Sequence, residues 1–450
     1  MWKSNNWREE APALLRIAGP LIINNLAIAG MSFADTIMAG RLGAEALAAV
    51  AVGGSVWFMG FVMALGTLMA IAPIAARHYG AGNPELIGRY TRQGIYLGIG
   101  IGVVLIVLAY STVEALLEAV GIDPGFRDLT AGYVLAIIPG APAIFVFLAL
   151  RFTTEGIGAT KPIMYASIFS LVCNVFLNYV FIFGHFGAPA LGAVGCGVAS
   201  AITMWLIMIG LAVYMAKSVR YRALKLFTHL APVRAGVLRE IIMLGVPIAI
   251  TITAEAGLFN AVSILMGTRG AAIAAAHQIA INFASTLFMI PLALSSAITI
   301  RVGHALGAGN QQAARFAGAV GILMCGLFMA CGAAFMLVFR DNVVSMYTND
   351  PSVTSIALSL LVIATAFQVA DGVQIGAAGA LRGYKDTRVP MTINIIAFWV
   401  FAFPLAYMAA ITFASPPSYV WGAFVLGLSI SALLLTWRYH HVSKESRFTD

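Results

Sequence analysis

Apolar runs near residues 17–38, 46–72, 93–113, 131–151, 163–184 and 192–216 are followed by six more near 241–266, 272–300, 316–339, 354–380, 390–413 and 419–437. Each is about as long as the roughly 20 residues that carry a helix across a bilayer. Hydrocarbon offers no water to a backbone N–H or C=O, so a spanning run must satisfy those groups internally, and a helix does so within one segment. The runs therefore predict an all-α membrane protein with twelve transmembrane helices. Composition agrees: 61% of the 450 residues are hydrophobic and 10% charged, against about a quarter charged in a soluble domain.

The two sets of six are copies. Residues 247–310 align with 20–83 at a constant offset of 227, and 20 of the 64 positions are identical without a gap, which marks an internal duplication. Both copies open on a proline, Pro20 and Pro247, and both close on Gly-Ala-Gly-Asn, at 80–83 and 307–310. Gly40 is matched by Gly267, and Gly43 by Gly270. The expected organisation is an N-lobe of residues 1–216 with helices 1–6, a basic cytoplasmic linker of 217–239, and a C-lobe of 240–450 with helices 7–12 and the C-terminal tail. Residues 1–16 followed by an apolar run imitate a signal peptide. Cleavage would remove the partner of the segment that begins at Pro247, so the run is read as the first membrane helix. Six helices per lobe make the two repeats run the same way, as two pseudo-symmetric lobes around a central cavity.

Placing both termini in the cytoplasm puts 22 of the 26 Lys and Arg residues inside and leaves Arg41, Arg127, Arg269 and Arg340 outside, as the positive-inside rule requires. In a chain otherwise free of cysteine, Phe227→Cys is expected to react with an impermeant maleimide from the cytoplasmic side only. Labelling of intact cells from outside would overturn the twelve-helix assignment. The net charge of +8 lies in short clusters between apolar runs, with no basic face interleaved with aromatics, so no nucleic acid is expected as partner. Cys173, Cys196, Cys325 and Cys331 all sit inside apolar runs with no C-x-x-C pair, which fits buried thiols and neither a disulfide framework nor a zinc site.

Of 18 acidic residues only Asp35, Glu255 and Asp371 lie well within the runs. A carboxylate at a helix centre costs about 3 kcal/mol, so it faces a cavity, takes a partner or stays protonated. Glu255 and Asp371 lie deep in their runs, whereas Asp35 is near the outer end of its own, where the interface is also within reach. The copies differ at these places: Asp35 is matched by Val262 and Glu255 by Ile28. Helical spacing sets Glu255 with Phe259, Gln278 with Asn282, and Asn174 with Asn178 on shared faces, and puts Gln368 and Gln374 three residues either side of Asp371. Such amides serve as glue between helices or, where they share a cavity with an acid, as ligands. His277, on a different face from Gln278, reads as a packed, hydrogen-bonded histidine. The 19 Met and 27 Phe residues are mostly helix packing, but a cavity that draws on them suits varied aromatic ligands.

No G-x-x-x-x-G-K phosphate loop, H-E-x-x-H or G-x-S-x-G motif occurs. Neither does a T-V-G-Y-G filter or an arginine-rich voltage-sensing helix. Secondary transport is what these exclusions leave. The chain resembles the multidrug and toxic compound extrusion (MATE) family, in its NorM-like bacterial branch, over nearly its whole length. The resemblance is carried by Pro20 with the run Asp35-Thr36-Ile37-Met38-Ala39-Gly40, by the two Gly-Ala-Gly-Asn turns, and by Glu155-Gly-x-Gly-Ala-Thr-Lys-Pro162. Glu255 two turns after Pro247 and Arg382-Gly-Tyr-Lys-Asp386 before Pro390 complete it.

The resemblance implies a secondary active efflux transporter of the bacterial inner membrane, not an enzyme, with no cofactor beyond a coupling ion, Na+ or H+. It would export amphipathic cationic drugs and dyes by alternating access of the two lobes and work as a monomer in the lipid bilayer. By matching motifs, Asp35 would be the acidic residue of the first lobe. Glu255 and Asp371 would be the coupling-ion pair of the second and the ligands of Na+ if sodium is the coupling ion. Ser55, Phe259 and Gln278, with Asn282 on the face of Gln278, would line the drug path, and Asn174 with Asn178 would support the first-lobe site. One departure stands out: a position that is often tyrosine in the family is Phe367 here, which withholds a phenolic oxygen. The alternative, a lipid-linked oligosaccharide flippase of a related fold, needs a cationic cavity for pyrophosphate, and these intramembrane charges are acidic. Two-lobe pseudo-symmetry without a filter speaks against a passive channel, and saturable, gradient-dependent flux would exclude it.

Overall fold

The computed structural model describes residues 6–228 and 232–444. Residues 229–231 of the linker and 445–450 of the tail lie outside the described residues. Twelve described helices are long and apolar enough to cross a membrane. They are α1 (Trp7–Gly40), α2 (Ala44–Gly80), α3 (Pro84–Ala119), α4 (Pro124–Gly156), α5 (Lys161–Phe183), α6 (Ala193–Lys217), α7 (Ala235–Gly267), α8 (Ala271–Gly307), α9 (Gln311–Ser345), α10 (Pro351–Gly383), α11 (Arg388–Thr412) and α12 (Pro417–Val442). No strand occurs among the described residues. Several helices outrun their apolar runs, because a helix continues beyond hydrocarbon wherever polar side chains can support it.

The identities shared by the two copies encode their turns. Gly43 and Gly270 precede α2 and α8 with φ of 118° and 115°, and Gly82 and Gly309 follow α2 and α8 with φ of 72° and 73°. A side chain is strained in that region and glycine is not. In both closing turns the asparagine N–H reaches back to close the helix, Asn83 to the His78 carbonyl and Asn310 to the Ala305 carbonyl, each at 2.9 Å. This is the bond by which a left-handed glycine satisfies a helix end. Pro84 then starts α3, and the Asn310 side chain caps α9 by accepting from the Ala313 N–H at 2.9 Å.

By internal contact the chain forms two compact units, one of Met1–Gly19, Gly80–Gly82 and Ile250–Asp450, the other of Pro20–Tyr79 and Asn83–Ala249. The boundary falls inside α1 at Pro20 and inside α7 just after Pro247. Proline lacks the N–H that would bond the preceding turn, so these are the places where each helix is weakest along its own axis.

In the unit that holds Ile250 onward, buried rings of Phe367, Trp421 and Phe424 pack with centroids 5.6–6.0 Å apart. The Trp421 indole donates to His277 Nδ1 at 3.0 Å, so the ring proton is on Nε2, which meets Ser263 Oγ at 2.8 Å. Both nitrogens of His277 are thus engaged in packing α7, α8 and α12 together. The first turns of α1 belong to this unit: Glu10 accepts from Nε and Nη2 of Arg301 at 2.7 and 2.5 Å, a two-pronged pair of the stronger kind.

In the other unit, Trp57 and Phe61 pack on the buried ring of Phe145. The polar extension of α3 carries the linker. Arg92 donates to the Lys225 carbonyl at 2.5 Å, buried Gln93 donates to the Pro232 carbonyl at 3.0 Å and accepts from the Arg234 N–H at 2.9 Å, and Tyr90 donates to Glu240. Within the same unit α2 and α7 meet backbone to backbone, Gly66 on Ala249 and Gly245 on Thr67. Small residues let membrane helices approach this closely. Outward-facing Val104, Val107, Val338 and Leu433 are more than half exposed, which is the surface that lipid would cover.

Candidate functional site

In the unit of Pro20–Tyr79 and Asn83–Ala249, α1 is seated on α5 by a ladder of polar contacts. Ser167 donates to Asn24 at 2.5 Å, Ser170 reaches the Met31 sulfur at 3.4 Å, and Asn178 donates to Asp35 at 2.5 Å. The Asn178 amide also lies 3.2 Å from Asn174 Oδ1, so the two asparagines share a face as their spacing requires. Asn174 and Cys196 lie beside the Asp35 carboxyl and interact with it electrostatically. Asp35 is half-buried and its asparagine partners are buried. An acid with these neighbours is held in one orientation while keeping one side open. Asp35→Asn is expected to insert normally, because removing a charge lowers the cost of burial, and to lose drug export. Wild-type export by the variant would make Asp35 an interface residue.

The unit that begins at Ile250 holds the second group. Asp371 is buried, Glu255 half-buried, and the two carboxylates lie within electrostatic reach of each other. Gln374 stands beside Glu255, although neither of its amide atoms meets the geometry of a hydrogen bond. Asp371 Oδ1 and both amide atoms of Gln368 and Gln374 are buried and have no hydrogen-bond partner. An unsatisfied buried polar group costs about 1–3 kcal/mol, and a cation would meet the unpartnered oxygens of this group, since carboxylates and amide oxygens are the ligands a hard monovalent ion or an organic cation prefers. Trp399, in a π-helical turn of α11 at Ile396–Ala402, donates to the Ala254 carbonyl at 3.0 Å and so braces the α7 backbone next to Glu255. A Cβ on Gly257 would stand 2.9 Å from its ring. π-Helical turns often mark functional sites.

The other residues singled out from the sequence make contacts of their own. Phe259 is half-buried and stacks on Phe424 at 4.7 Å. Gln278 is exposed, and exposed Asn282 accepts from the Tyr347 hydroxyl at 2.9 Å. Ser55, which the offset of 227 matches to Asn282, is exposed with its hydroxyl turned back to the Ala51 carbonyl at 2.9 Å. Phe367 is 2% exposed and fills the core against Trp421, so no oxygen stands there. Two neighbours escape sequence reasoning: Cys196, read as a buried thiol, which lies beside Asp35, and Arg382, met in sequence only within the Arg382-Gly-Tyr-Lys-Asp386 run, which interacts electrostatically with Glu255.

The MatE family model matches residues 20–180 and 247–408, two stretches that begin on the prolines of the duplication. Multidrug resistance protein NorM of Vibrio vulnificus is 36% identical over 447 residues, 98% of this chain and 98% of that one. Multidrug resistance protein PmpM of Pseudomonas aeruginosa is 38% identical over 435 residues, 96% of this chain and 91% of that one. The crystal structure of the eukaryotic MATE transporter AtDTX14 superposes with a TM-score of 0.86 at 21% identity, covering 98% of this chain and 99% of that one. A MATE crystallised in complex with MaD3S gives 0.87 at 20% identity, covering 96% and 97%. At those identities the likeness is one of fold. The matches to both halves and the identity over nearly the full length place this multi-pass membrane protein in the MatE family, in its NorM-like branch of multidrug efflux transporters.

Proposed function

We propose that this transporter exports amphipathic organic cations in exchange for Na+ or H+, at a shared site centred on Glu255 and Asp371. The observation that carries the reading is a carboxylate pair within electrostatic reach in one unit, with unsatisfied buried amides on the helix of Asp371. A cation arriving from outside neutralises the pair and so weakens its hold on a cationic drug, which leaves. The two lobes, residues 1–216 and 240–450, then alternate in access, with 217–239 as the cytoplasmic linker and both termini in the cytoplasm. Asp35 with Asn174 and Asn178 forms the acidic site of the first lobe. Exposed Ser55, Gln278 and Asn282, with Phe259, line the drug path, and the monomer is the working unit. The drive is the coupling ion's own concentration gradient: exchange of one monovalent ion for one singly charged drug moves no net charge, so the membrane potential, worth about 2.3 kcal/mol per charge per 100 mV, does not enter.

The test is efflux of a fluorescent cation from vesicles on which Na+ and pH gradients are imposed separately. One of the two gradients is expected to drive saturable efflux. Flux that ignores both, or that rises linearly with dye concentration, would refute antiport.

A further inference from the structure

Arg382 belongs by sequence to the basic end of α10, yet it is 7% exposed. Its side chain runs back into the unit: Nη2 donates to Ser295 Oγ at 2.6 Å, and the same Ser295 hydroxyl donates to the Ile375 carbonyl at 2.6 Å. The guanidinium therefore stands between the levels of Ile375 and Gly379, one to two helical turns from Asp371. Gly379 lets α8 bring Ser295 that close, since a Cβ there would lie 2.5 Å from Ser295 O and Oγ. Glu255 and Arg382 attract one another across this interval. With both carboxylates ionised, Glu255, Asp371 and Arg382 sum to one net negative charge, not two.

We infer that Arg382 is a specificity-determining residue of the carboxylate chamber: its fixed positive charge cancels one of the two negative ones, so the chamber accepts a single positive charge at a time, one monovalent coupling ion or one singly charged drug. The inference rests on the carboxylate-pair reading above and deepens it. A built-in repulsive charge is a familiar route to specificity. Coulomb energy is proportional to ligand charge, so a fixed cation that weakens a monocation by some factor weakens a dication by the square of that factor. For charges this near each other inside a protein the factor is about ten.

The test is equilibrium binding of tetraphenylphosphonium and of a bis-phosphonium of similar aromatic content to the purified full-length protein. Arg382→Gln is expected to bind the first about tenfold and the second about a hundredfold more tightly than wild type, moving the selectivity ratio about tenfold toward the dication. Arg382→Lys keeps the wild-type ratio. Asp371→Asn combined with Arg382→Gln restores one net negative charge and returns the ratio to the wild-type value. A monodisperse Arg382→Gln protein with an unmoved ratio would overturn the inference, as would a double variant that keeps the Arg382→Gln ratio. Should Arg382→Gln not fold, Ser295→Ala frees the guanidinium toward the carboxylates and is expected to weaken both ligands several-fold; unchanged binding overturns the inference. If Glu255→Gln and Asp371→Asn both bind the two cations as wild type does, the carboxylate-pair reading falls and this inference with it. Altered binding in those two variants beside an unmoved Arg382→Gln ratio overturns the inference alone.

Discussion

Asp371→Asn is expected to retain a cationic dye, more weakly than wild type, and to lose at least tenfold in the acceleration of dye release by added Na+ or acid. Glu255→Gln is expected to do the same. The carboxylates come from α10 and α7 of one unit and lie within electrostatic reach of each other, with Gln374 beside Glu255 and the unsatisfied amides of Gln368 and Gln374 on the helix of Asp371. Exchange requires both to alternate between ion and drug, so removing either breaks the alternation while the other still attracts a cation. The double variant is therefore expected to be little worse than either single one, because groups that belong to one site do not act additively. Additive losses would mean two independent sites. Ion-triggered release that survives in both single variants would move the coupling site to Asp35 with its asparagine partners.

Gly379→Val is expected to lower the thermal midpoint in detergent by several degrees and to abolish transport. The position is fully occupied: a Cβ would lie 2.5 Å from Ser295 O and Oγ, and Thr299 on the next turn of α8 donates to the Gly379 carbonyl at 2.7 Å. Overpacking of this kind costs about 1–3 kcal/mol, and here it also displaces the hydroxyl that holds Arg382. Gly100→Ala is the control. Nothing lies within 4 Å of its Cβ position in α3, so the change is expected to be neutral or stabilising by up to about 1 kcal/mol, the helix propensity gained. A wild-type midpoint for Gly379→Val would contradict the close approach of α8 and α10.

What the sequence disclosed follows from which physical signals are local. Hydrophobic runs reveal spanning helices because the bilayer filters composition directly, and the matched Gly43 and Gly270 reveal turns because only glycine relaxes at such φ values. Periodicity correctly paired Asn174 with Asn178, which are bonded, and gathered Gln368 and Gln374 with Asp371 in the interior. It does not say which way a shared face looks. Gln278 and Asn282 share one, and it is exposed. Helix ends were underestimated because an apolar run stops with the hydrocarbon, while α3 continues on polar residues that hold the linker. The interior place of Arg382 was hidden for a related reason: it stands just beyond the apolar run 354–380, and only the reach of its side chain to Ser295 takes it inside. Cys196 gives no sign in sequence of its place beside Asp35, since that proximity joins α6 to α1.

The central claim is that one chamber holds either the coupling ion or the drug. Displacement of bound tetraphenylphosphonium from the purified protein, titrated with Na+ and with acid at constant ionic strength, tests it most directly. Wild type is expected to release the ligand in a competitive pattern with one of the two ions, the apparent ligand affinity falling in proportion to ion concentration without a plateau, and Asp371→Asn is expected to show no such response. Displacement that levels off at a fixed residual affinity, or that persists unchanged in Asp371→Asn, would place ion and drug in separate sites and contradict the account.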